Sequence, residues 1–268
     1  MLIASIFLIA FFALFITSFP DKNLHFIACD VGQGDALLVT LGTTQILIDG
    51  GPDKKVLSCL SRHTPFWDRK IDIVIVTNPD LDHYGGLVDV IRNYEIGTFA
   101  RPDKEGEADG WRTLLTELNR KKIKQVFIKS GQSIRYSTLH FDILHPPGDL
   151  IAQATNQFSV VGNLSFGEFD VLLTGDIIPD QIPSFLNQVK LVEVLKVPHH
   201  GSKNGLTQDL LVKSSPKLAV ISLGKNNRFG HPHKEVLDML SQNNVKVLRT
   251  DQDGEIEVVS DGEKWWIK

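Results

Sequence analysis

The chain has 268 residues, of which 42% are hydrophobic and 22% charged, and its formal net charge is −4. This length suits one large domain or two small ones, and the composition excludes an intrinsically disordered chain. A weakly acidic chain has no overall attraction for nucleic acid, although a local basic groove remains compatible with it. The two cysteines, Cys29 and Cys59, do not form a disulfide-rich scaffold or a zinc finger, and we expect both to be small buried side chains.

The N-terminal segment is a long apolar run. Residues 2–19 carry no charge, and Pro20, Asp21 and Lys22 follow them. A run of this length is just sufficient to cross the hydrocarbon core of a membrane as a helix, and it lacks the basic start and cleavage site of a signal peptide. We therefore predict a membrane anchor at residues 1–20, with an uncleaved signal or the end of a longer membrane protein as alternatives. The positive charge of Lys22, just after the apolar segment, weakly favours a cytoplasmic location for the rest of the chain.

After the apolar segment, short apolar runs alternate with helical patterns. Strands are predicted in LHFIACDVG, DALLVTLG, QILIDGG, IDIVIVTN and IGTFARP, with helices over residues 53–63, 83–94 and 110–121. Further strands are predicted in IKQVFIKS, STLHFDILHP, FSVVGNLSFG, EFDVLLTGD, VEVLKVPHHG, KLAVISLG and VKVLRT, with helices over residues 179–189, 205–213 and 233–242. A terminal hairpin turns at Asp261-Gly262. Two strand-rich blocks with helices outside them predict one α/β domain of four layers over residues 24–268.

Acidic and histidine side chains follow four of the predicted strands. They are Asp49, then Asp80, Asp82 and His83, then Asp176, and finally His199 and His200. Because ligands bind at the carboxyl ends of strands in open α/β sheets, we expect these side chains to share one edge. A divalent cation would offset the repulsion between the carboxylates. Gly85 and Gly86 would allow the next helix to approach the sheet closely.

Several motifs carry a resemblance to a known family. TNPDLDHYGG resembles the T-H-x-H-x-D-H-x-G-G motif of the metallo-β-lactamase superfamily, and LLTGD and VPHHGS resemble its later motifs in the same order. More narrowly, DVGQGDALLV, ILIDGGP and NRFGHPHKEVL resemble the C-terminal domain of the ComEC family of DNA-uptake channel proteins. The resemblance extends from about residue 26 to residue 256. It implies an αββα sandwich, a metallo-β-lactamase fold, with the active site along one edge of the two sheets.

The resemblance also implies a site for one or two divalent cations, Zn²⁺ or Mn²⁺. One cation would be held by Asp82, His83 and His200, with Asp176 bridging to the second. These four residue types are ordinary metal ligands.

The second cation site departs from the family pattern. Asn78 stands where the superfamily has its first histidine, whereas Asp80, the remaining ligand of that site, is normal for the ComEC branch. Phe158 interrupts a stretch that reads N-D-N-S in the branch, and a phenylalanine cannot bind a metal. We expect one competent metal site and a second that is weak and oxygen-rich.

The chemistry implied by the resemblance is metal-assisted hydrolysis. Asp80 would orient or deprotonate the attacking water. Lys196 or His199 would stabilise the charge that develops on the phosphoryl group, although Lys196 could equally be a surface lysine.

Other polar residues of the motifs have structural interpretations. We expect Asp35, in DVGQGD, to stabilise the turn of the first hairpin, and Asp49 to hydrogen-bond to the backbone or to a ligand histidine. His231 and His233 would close the pocket, or His233 would instead cap the helix that it begins. Trp265 and Trp266 offer a stacking surface for bases, but an aromatic hairpin packed on the sandwich is the favoured interpretation.

The favoured function is a membrane-anchored, metal-dependent hydrolase of phosphodiesters, with single-stranded DNA in uptake as the expected substrate. A separate membrane channel is an expected partner, and the family analogy favours an extracytoplasmic domain. Two alternatives stay open. One is a degenerate domain without catalysis that binds nucleic acid or a partner, which Asn78 and Phe158 support. The other is a hydrolase of small esters or phosphoesters.

Overall fold

The computed structural model describes residues 19–268, so the predicted anchor at residues 2–19 lies, apart from Phe19, outside the described residues. Among the residues that are described, no helix has the length and apolar character needed to cross a membrane. The anchor therefore stays a prediction from the sequence.

The strands of residues 19–268 form two sheets. In chain order they are β1 (Leu24–Ala28), β2 (Leu37–Leu41), β3 (Thr44–Ile48), β4 (Lys70–Ile75), β5 (Glu95–Arg101), β6 (Lys124–Phe127), β7 (Ser133–Tyr136), β8 (Leu139–His145), β9 (Val161–Phe166), β10 (Phe169–Leu173), β11 (Val194–Lys196), β12 (Leu218–Ile221), β13 (Lys246–Arg249), β14 (Ile256–Ser260) and β15 (Trp265–Ile267). One sheet has eight strands in the order β15-β14-β1-β2-β3-β4-β5-β6, and the other has seven in the order β13-β12-β11-β10-β9-β8-β7. Strands β3 to β6 are parallel, as are β10 to β13.

Most helices of the described chain lie where the sequence predicts them. They are α1 (Lys55–His63), α2 (Leu81–Tyr84), α3 (Leu87–Asn93), α4 (Asp109–Arg120), α5 (Gln208–Ser214), α6 (Lys234–Gln242) and the short α7 (Thr250–Asp253). Segments Thr155–Phe158, Pro179–Ser184, Leu186–Gln188 and Pro198–Gly201 are 3₁₀ turns. The predicted helix over residues 179–189 is thus two 3₁₀ turns, and β7 and α7 were not predicted.

The single helix predicted over residues 83–94 is two helices, α2 and α3. The break lies at Gly86, whose N–H donates to the carbonyl of Gly51 (2.9 Å) instead of continuing α2. A Cβ at Gly86 would lie 2.2 Å from the carbonyl oxygen of Gly50. The chain therefore needs glycine where this helix pair approaches the end of β3, as predicted.

Burial divides the molecule into four layers. In β1, Phe26 faces the core between the two sheets, whereas Ile27 faces the layer of helices α1 to α4. A third cluster packs the opposite face of the seven-stranded sheet against α5 and α6, for example through Leu210 and Leu240. Because each central strand is covered on both faces, its sequence is apolar without alternation. The αββα sandwich predicted from the sequence is confirmed.

The two cysteines correct a prediction. Cys29 and Cys59 are both buried, as expected, but they form a disulfide that joins the end of β1 to α1. Sequence alone did not show that residues 30 positions apart would meet.

The C-terminal hairpin completes the eight-stranded sheet. Strand β14 pairs with β1, and Trp265 in β15 packs against the core beside Phe169, with ring centroids 6.4 Å apart. The favoured interpretation of an aromatic hairpin packed on the sandwich is therefore confirmed for Trp265, while Trp266 is exposed.

Candidate metal centre

The predicted site residues follow the carboxyl ends of parallel strands. Asp49 follows β3, and Asp82 and His83 begin the turn and helix after β4. Asp176 follows β10, and His200 follows β11. The fold therefore brings together at one edge the side chains that the sequence placed at four strand ends.

Four side chains meet closely there. The Nε2 atom of His83 lies 3.2 Å from Oδ2 of Asp176, and Nε2 of His200 lies 3.5 Å from the same oxygen. Asp82 completes the group, with Oδ2 3.3 Å from Nε2 of His200. Asp82 is the solvent-facing member, since its side chain is 32% exposed and the other three are buried.

The ligand atoms of this cluster lack hydrogen-bond partners. Buried Nε2 of His83, Nε2 of His200 and Oδ1 of Asp176 have none among the described residues. Buried polar atoms without partners are unfavourable unless a ligand satisfies them. Imidazole and carboxylate together suit Zn²⁺ and Mn²⁺, so the residues fit a divalent cation.

The opposite nitrogen of each ring is held by the protein. Nδ1 of His83 donates to Asp49 (2.9 Å), which also accepts the N–H and the hydroxyl of Thr77 (both 2.7 Å). Nδ1 of His200 donates to the carbonyl of Ser222 (2.9 Å). These bonds keep a proton on Nδ1 of each ring, so Nε2 is the nitrogen that faces the cluster and that would bind a cation after losing its own proton. The predicted hydrogen-bonding role of Asp49 is confirmed.

Asp35 has a role that the sequence did not reveal. Its carboxylate forms a buried ion pair with Lys196 (2.7 Å), and its other oxygen lies 3.5 Å from Nδ1 of His200. Asp35 thus lies against the Nδ1 side of His200, and it forms with His83, Asp176 and His200 a buried group whose ligand atoms lie within 4.8 Å of one another, close enough to hold a metal ion. Gly34 places Asp35 there: a Cβ at Gly34, whose φ is +136°, would lie 2.2 Å from the carbonyl oxygen of Asp82.

This pairing corrects the prediction for Lys196. The side chain is fully buried, its Nζ also donates to the carbonyl of Val197 (3.0 Å), and its charge is neutralised by Asp35. A lysine held in this way is neither a surface lysine nor free to contact a phosphoryl group. The partner charge lies in a distant loop, so no local signal in the sequence could have identified it.

Electrostatics explain why the cluster favours a cation. Burial alone would raise the pKa of Asp176, but the imidazoles of His200 and His83 hold it well below its ordinary value. Burial would lower the pKa of His200, but the carboxylates of Asp176 and Asp35 raise it to about 10. In the absence of metal, the carboxylates therefore hold protons on the imidazoles, and a cation would replace those protons.

The side-chain amide of Asn78 forms hydrogen bonds that stabilise the loop after β4. Its amide oxygen accepts the N–H of Asp80 (3.0 Å), and its amide nitrogen donates to Asn156 and Ser159 (both 3.3 Å). Oδ2 of Asp80 accepts the hydroxyl of Thr155 (2.8 Å). The amide oxygen of Asn78, the atom of this residue that a weak, oxygen-rich second site would use, therefore has one of its two lone pairs committed to the N–H of Asp80.

His199 lies at the mouth of the cluster. Its side chain is 25% exposed, and its Nε2 is 3.9 Å from Oδ2 of Asp176. His199 and His200 both adopt left-handed backbone, with φ of +51° and +53°. Such strain in two consecutive residues is typical of functional sites, and here it directs both rings toward Asp176.

The histidines of the FGHPH motif lie beside His199. The ring of His231 is 5.9 Å from that of His199 and 5.0 Å from that of His233. His233 occupies the N-cap of α6, but its side chain makes no capping bond and instead accepts the N–H of Lys203 (3.2 Å). His233 thus caps α6 by position, as expected, but not through a side-chain hydrogen bond, and His231 lines the mouth of the site.

The fold and these residues define a class of protein. A family model described as the metallo-beta-lactamase superfamily matches residues 29–225. The chain belongs to the metallo-β-lactamase superfamily. Within it, the chain is similar to ComE operon protein 3 of Bacillus subtilis (29% identical over 248 residues, 85% of this chain and 32% of the relative) and to Recombination protein 2 of Haemophilus influenzae (29% over 233 residues, 85% and 28%). These homologues confirm the predicted resemblance to the ComEC family.

The chain spans only about a third of the length of these curated relatives. Among solved structures it is similar to the metallo-β-lactamase fold protein YhfI from Bacillus subtilis, with a TM-score of 0.60, 14% identity, and coverage of 91% of this chain and 100% of the other. It is also similar to CmlA, a diiron β-hydroxylase from Streptomyces venezuelae, with a TM-score of 0.57, 14% identity, and coverage of 86% and 53%. At these identities the likeness shows the fold alone.

Proposed function

We propose that this chain is a metal-dependent phosphodiesterase that hydrolyses single-stranded DNA in a DNA-uptake system. The observation that carries the proposal is the convergence of unpartnered ligand atoms from His83, Asp176 and His200, with Asp82 beside them. These four side chains are the proposed ligands of one divalent cation, Zn²⁺ or Mn²⁺.

When bound, such a cation supplies Lewis-acid chemistry, because it acidifies water and polarises a phosphoryl oxygen. The other roles in the proposed reaction belong to side chains of the protein itself. Asp80, held by the hydroxyl of Thr155, orients or deprotonates the attacking water. His199, partly exposed beside Asp176, stabilises the negative charge that develops on the phosphoryl group. Asp49 keeps His83 in the tautomer that the cluster needs.

The choice of substrate rests on the relatives. The resemblance to the ComEC family implies DNA uptake, and a further relative, 25% identical over 245 residues, is named competence protein ComA of Neisseria gonorrhoeae. Phosphodiester hydrolysis suits a site with a water-activating cation and a neighbouring imidazole.

The proposed location is the extracytoplasmic side of a membrane, with residues 2–19 as the anchor and a channel protein as partner. The disulfide between Cys29 and Cys59 supports this side, because disulfides persist in oxidising compartments and are rare in the cytosol. This observation outweighs the single Lys22 that favoured a cytoplasmic body.

A second candidate function is a domain without catalysis that binds nucleic acid or a partner protein. The observation in its favour is that the amide oxygen and nitrogen of Asn78 are both engaged within the loop, so the second cation site lacks a ligand. A single cation still supplies the Lewis-acid chemistry, and therefore hydrolysis remains the first proposal.

The deciding experiment measures bound metal and DNA cleavage together. The protein is reconstituted with Mn²⁺ or Zn²⁺, the ions per chain are counted, and cleavage of a labelled single-stranded oligonucleotide is followed. We expect one ion per chain, and we expect Asp176→Ala to reduce cleavage on the order of 100-fold or more. Asp170→Ala is the matched control, because Asp170 lies in β10, the strand that leads to Asp176, but outside the cluster.

The other outcomes separate the alternatives. A protein that binds no metal and cleaves nothing would support the binding domain. Bound metal with cleavage of a small phosphate ester but not of DNA would replace the proposed substrate while keeping the proposed chemistry.

A further inference from the structure

The loop between β12 and α6 holds an exposed aromatic residue in a defined position. Asn227 ties the loop together: its Oδ1 accepts the N–H of His231 (2.9 Å), and its Nδ2 donates to the carbonyls of His231 (2.9 Å) and Gly224 (3.1 Å). Phe229 lies inside this closed loop and is 63% exposed. The hydrogen-bonded loop holds this apolar ring in contact with water. A ligand that covers the ring would remove apolar surface from water, which is favourable.

Phe229 is the outer end of a row of rings that leads to the candidate metal centre. Its ring stacks on that of His231, with centroids 5.6 Å apart and planes at 24°. His231 in turn contacts His199 edge to face, with centroids 5.9 Å apart. Nε2 of His199 is 3.9 Å from Oδ2 of Asp176. A planar group stacked on Phe229 would therefore lie at the outer end of a row of three rings, Phe229, His231 and His199, whose inner end is beside Asp176.

The loop that carries Phe229 is basic in an acidic chain. The segment SLGKNNRFGHPHK, residues 222–234, contains three Lys or Arg residues and no Asp or Glu, although the chain as a whole has a net charge of −4. Lys225 and Arg228 lie on the same loop as Phe229, with Lys225 exposed. Lys203 is exposed on the neighbouring turn, which is joined to this loop through His233. The ligand that complements such a surface combines a flat apolar face with negative charge.

We propose that Phe229 is a stacking platform for an unpaired nucleobase of a single-stranded substrate, with Lys225, Arg228 and Lys203 facing its phosphates. This proposal rests on the proposed phosphodiesterase function and assigns its substrate class: a nucleic acid with accessible bases. Aromatic side chains combined with a basic surface are a recurrent means of binding single strands, because every base offers a flat face. A base within a duplex is stacked on both sides and cannot use the platform.

The test compares two oligonucleotides of equal length, one carrying bases and one abasic throughout. Fluorescence anisotropy in EDTA gives the affinity of the protein for each, and the ratio of the two affinities isolates the contribution of the bases. We expect the unsubstituted protein to prefer the base-bearing strand about 5- to 100-fold. Phe229→Ala should remove most of this preference and leave the affinity for the abasic strand unchanged, whereas Phe229→Trp should retain it.

Phe66 provides the matched control. It is 61% exposed, close to the value for Phe229, but it lies between α1 and β4 and outside the row of rings. Phe66→Ala should leave both affinities unchanged. If binding in EDTA is too weak to measure, the KM values for cleavage of the two strands in Mn²⁺ give the same ratio.

Each remaining outcome overturns the proposal. An affinity ratio that Phe229→Ala does not change, an equal loss on both strands, or no preference for bases in the unsubstituted protein would each show that Phe229 is not a stacking platform. In these three cases the proposed function is decided separately, by cleavage of the single-stranded oligonucleotide in Mn²⁺, and it stands if that cleavage is observed. A protein that neither binds nor cleaves either strand would overturn both proposals.

Discussion

At the scale of single residues, the candidate metal centre depends on groups behind the two ligand histidines. His83 is oriented by Asp49, and His200 by the carbonyl of Ser222 with the Asp35–Lys196 pair beside it. In each ring, the bond to Nδ1 leaves Nε2 as the atom that faces the cluster. The positions of the two proposed ligand histidines thus depend on hydrogen bonds and charges from the residues around them.

Asp49 is the most direct test of this arrangement. Asp49→Asn keeps the shape of the side chain, and Asn tolerates the left-handed backbone that Asp49 adopts (φ +60°). The substitution removes the negative charge that holds the proton on Nδ1 of His83. We expect the affinity for Mn²⁺ to fall about 10- to 100-fold, measured by calorimetric titration.

Asp72→Asn is the control for Asp49→Asn. Asp72 is also a largely buried carboxylate that accepts a backbone N–H, from Gln45 (3.0 Å), but it lies in β4 outside the cluster. Its substitution should leave metal affinity unchanged. Unchanged affinity in Asp49→Asn would contradict the positioning role of Asp49.

At the scale of elements, two loops form the part of the site where a second cation would bind. The loop after β4 carries Asn78 and Asp80, and the 3₁₀ turn Thr155–Phe158 lies against it through the bonds to Thr155, Asn156 and Ser159. Both ends of the Asn78 amide are engaged in holding this loop. The loop is thereby held in place, but the second cation site loses a ligand.

We therefore predict that Asn78→His raises the number of bound ions. Zn²⁺ and Mn²⁺ bind an imidazole nitrogen better than an amide oxygen that already accepts a hydrogen bond. The stoichiometry with Mn²⁺, measured by elemental analysis after dialysis, should rise from one ion per chain toward two.

Asn163→His is the matched control, since Asn163 is an asparagine about as buried as Asn78 but lies in β9 and bonds to the carbonyl of Gln188 (3.3 Å). It should leave the stoichiometry at one. Two ions in the unsubstituted protein, or one ion in a folded Asn78→His protein, would show that Asn78 is not what limits the second site.

At the scale of the whole molecule, the disulfide is a covalent link between layers. It fastens α1, in the outer helix layer, to the end of β1 within the eight-stranded sheet. A cross-link stabilises a fold mainly by restricting the unfolded chain, and the restriction grows with the length of the closed loop.

For a sequence separation of 30, the loss of the cross-link should lower the free energy of unfolding by roughly 3–4 kcal/mol. Urea unfolding of the protein with and without dithiothreitol measures this difference. The Cys29→Ala/Cys59→Ala variant should show the reduced stability in both conditions, and dithiothreitol should no longer affect it. Equal midpoints for the oxidised and reduced protein would mean that the disulfide does not form in solution.

The sequence by itself determined the layers of this protein and the position of its polar cluster. A strand covered on both faces has to be apolar without alternation, as IDIVIVTN is, and this local property predicts a sandwich with helices outside. Acids and histidines that follow such strands belong to the sheet edge, because the carboxyl ends of parallel strands meet there. The sequence is therefore sufficient to place these acids and histidines at one edge, and the resemblance to the metallo-β-lactamase superfamily selects Asp82, His83, Asp176 and His200 among them as ligands.

Only the tertiary structure decided which distant groups meet. The pairing of Asp35 with Lys196, the disulfide from Cys29 to Cys59 and the contact of His231 with His199 each depend on how the chain is folded around the two sheets. Nothing in the local sequence of a lysine shows whether it faces solvent or a buried carboxylate. Such contacts follow from the assembly of the two sheets, since periodicity specifies which face of an element is buried but not what it is buried against.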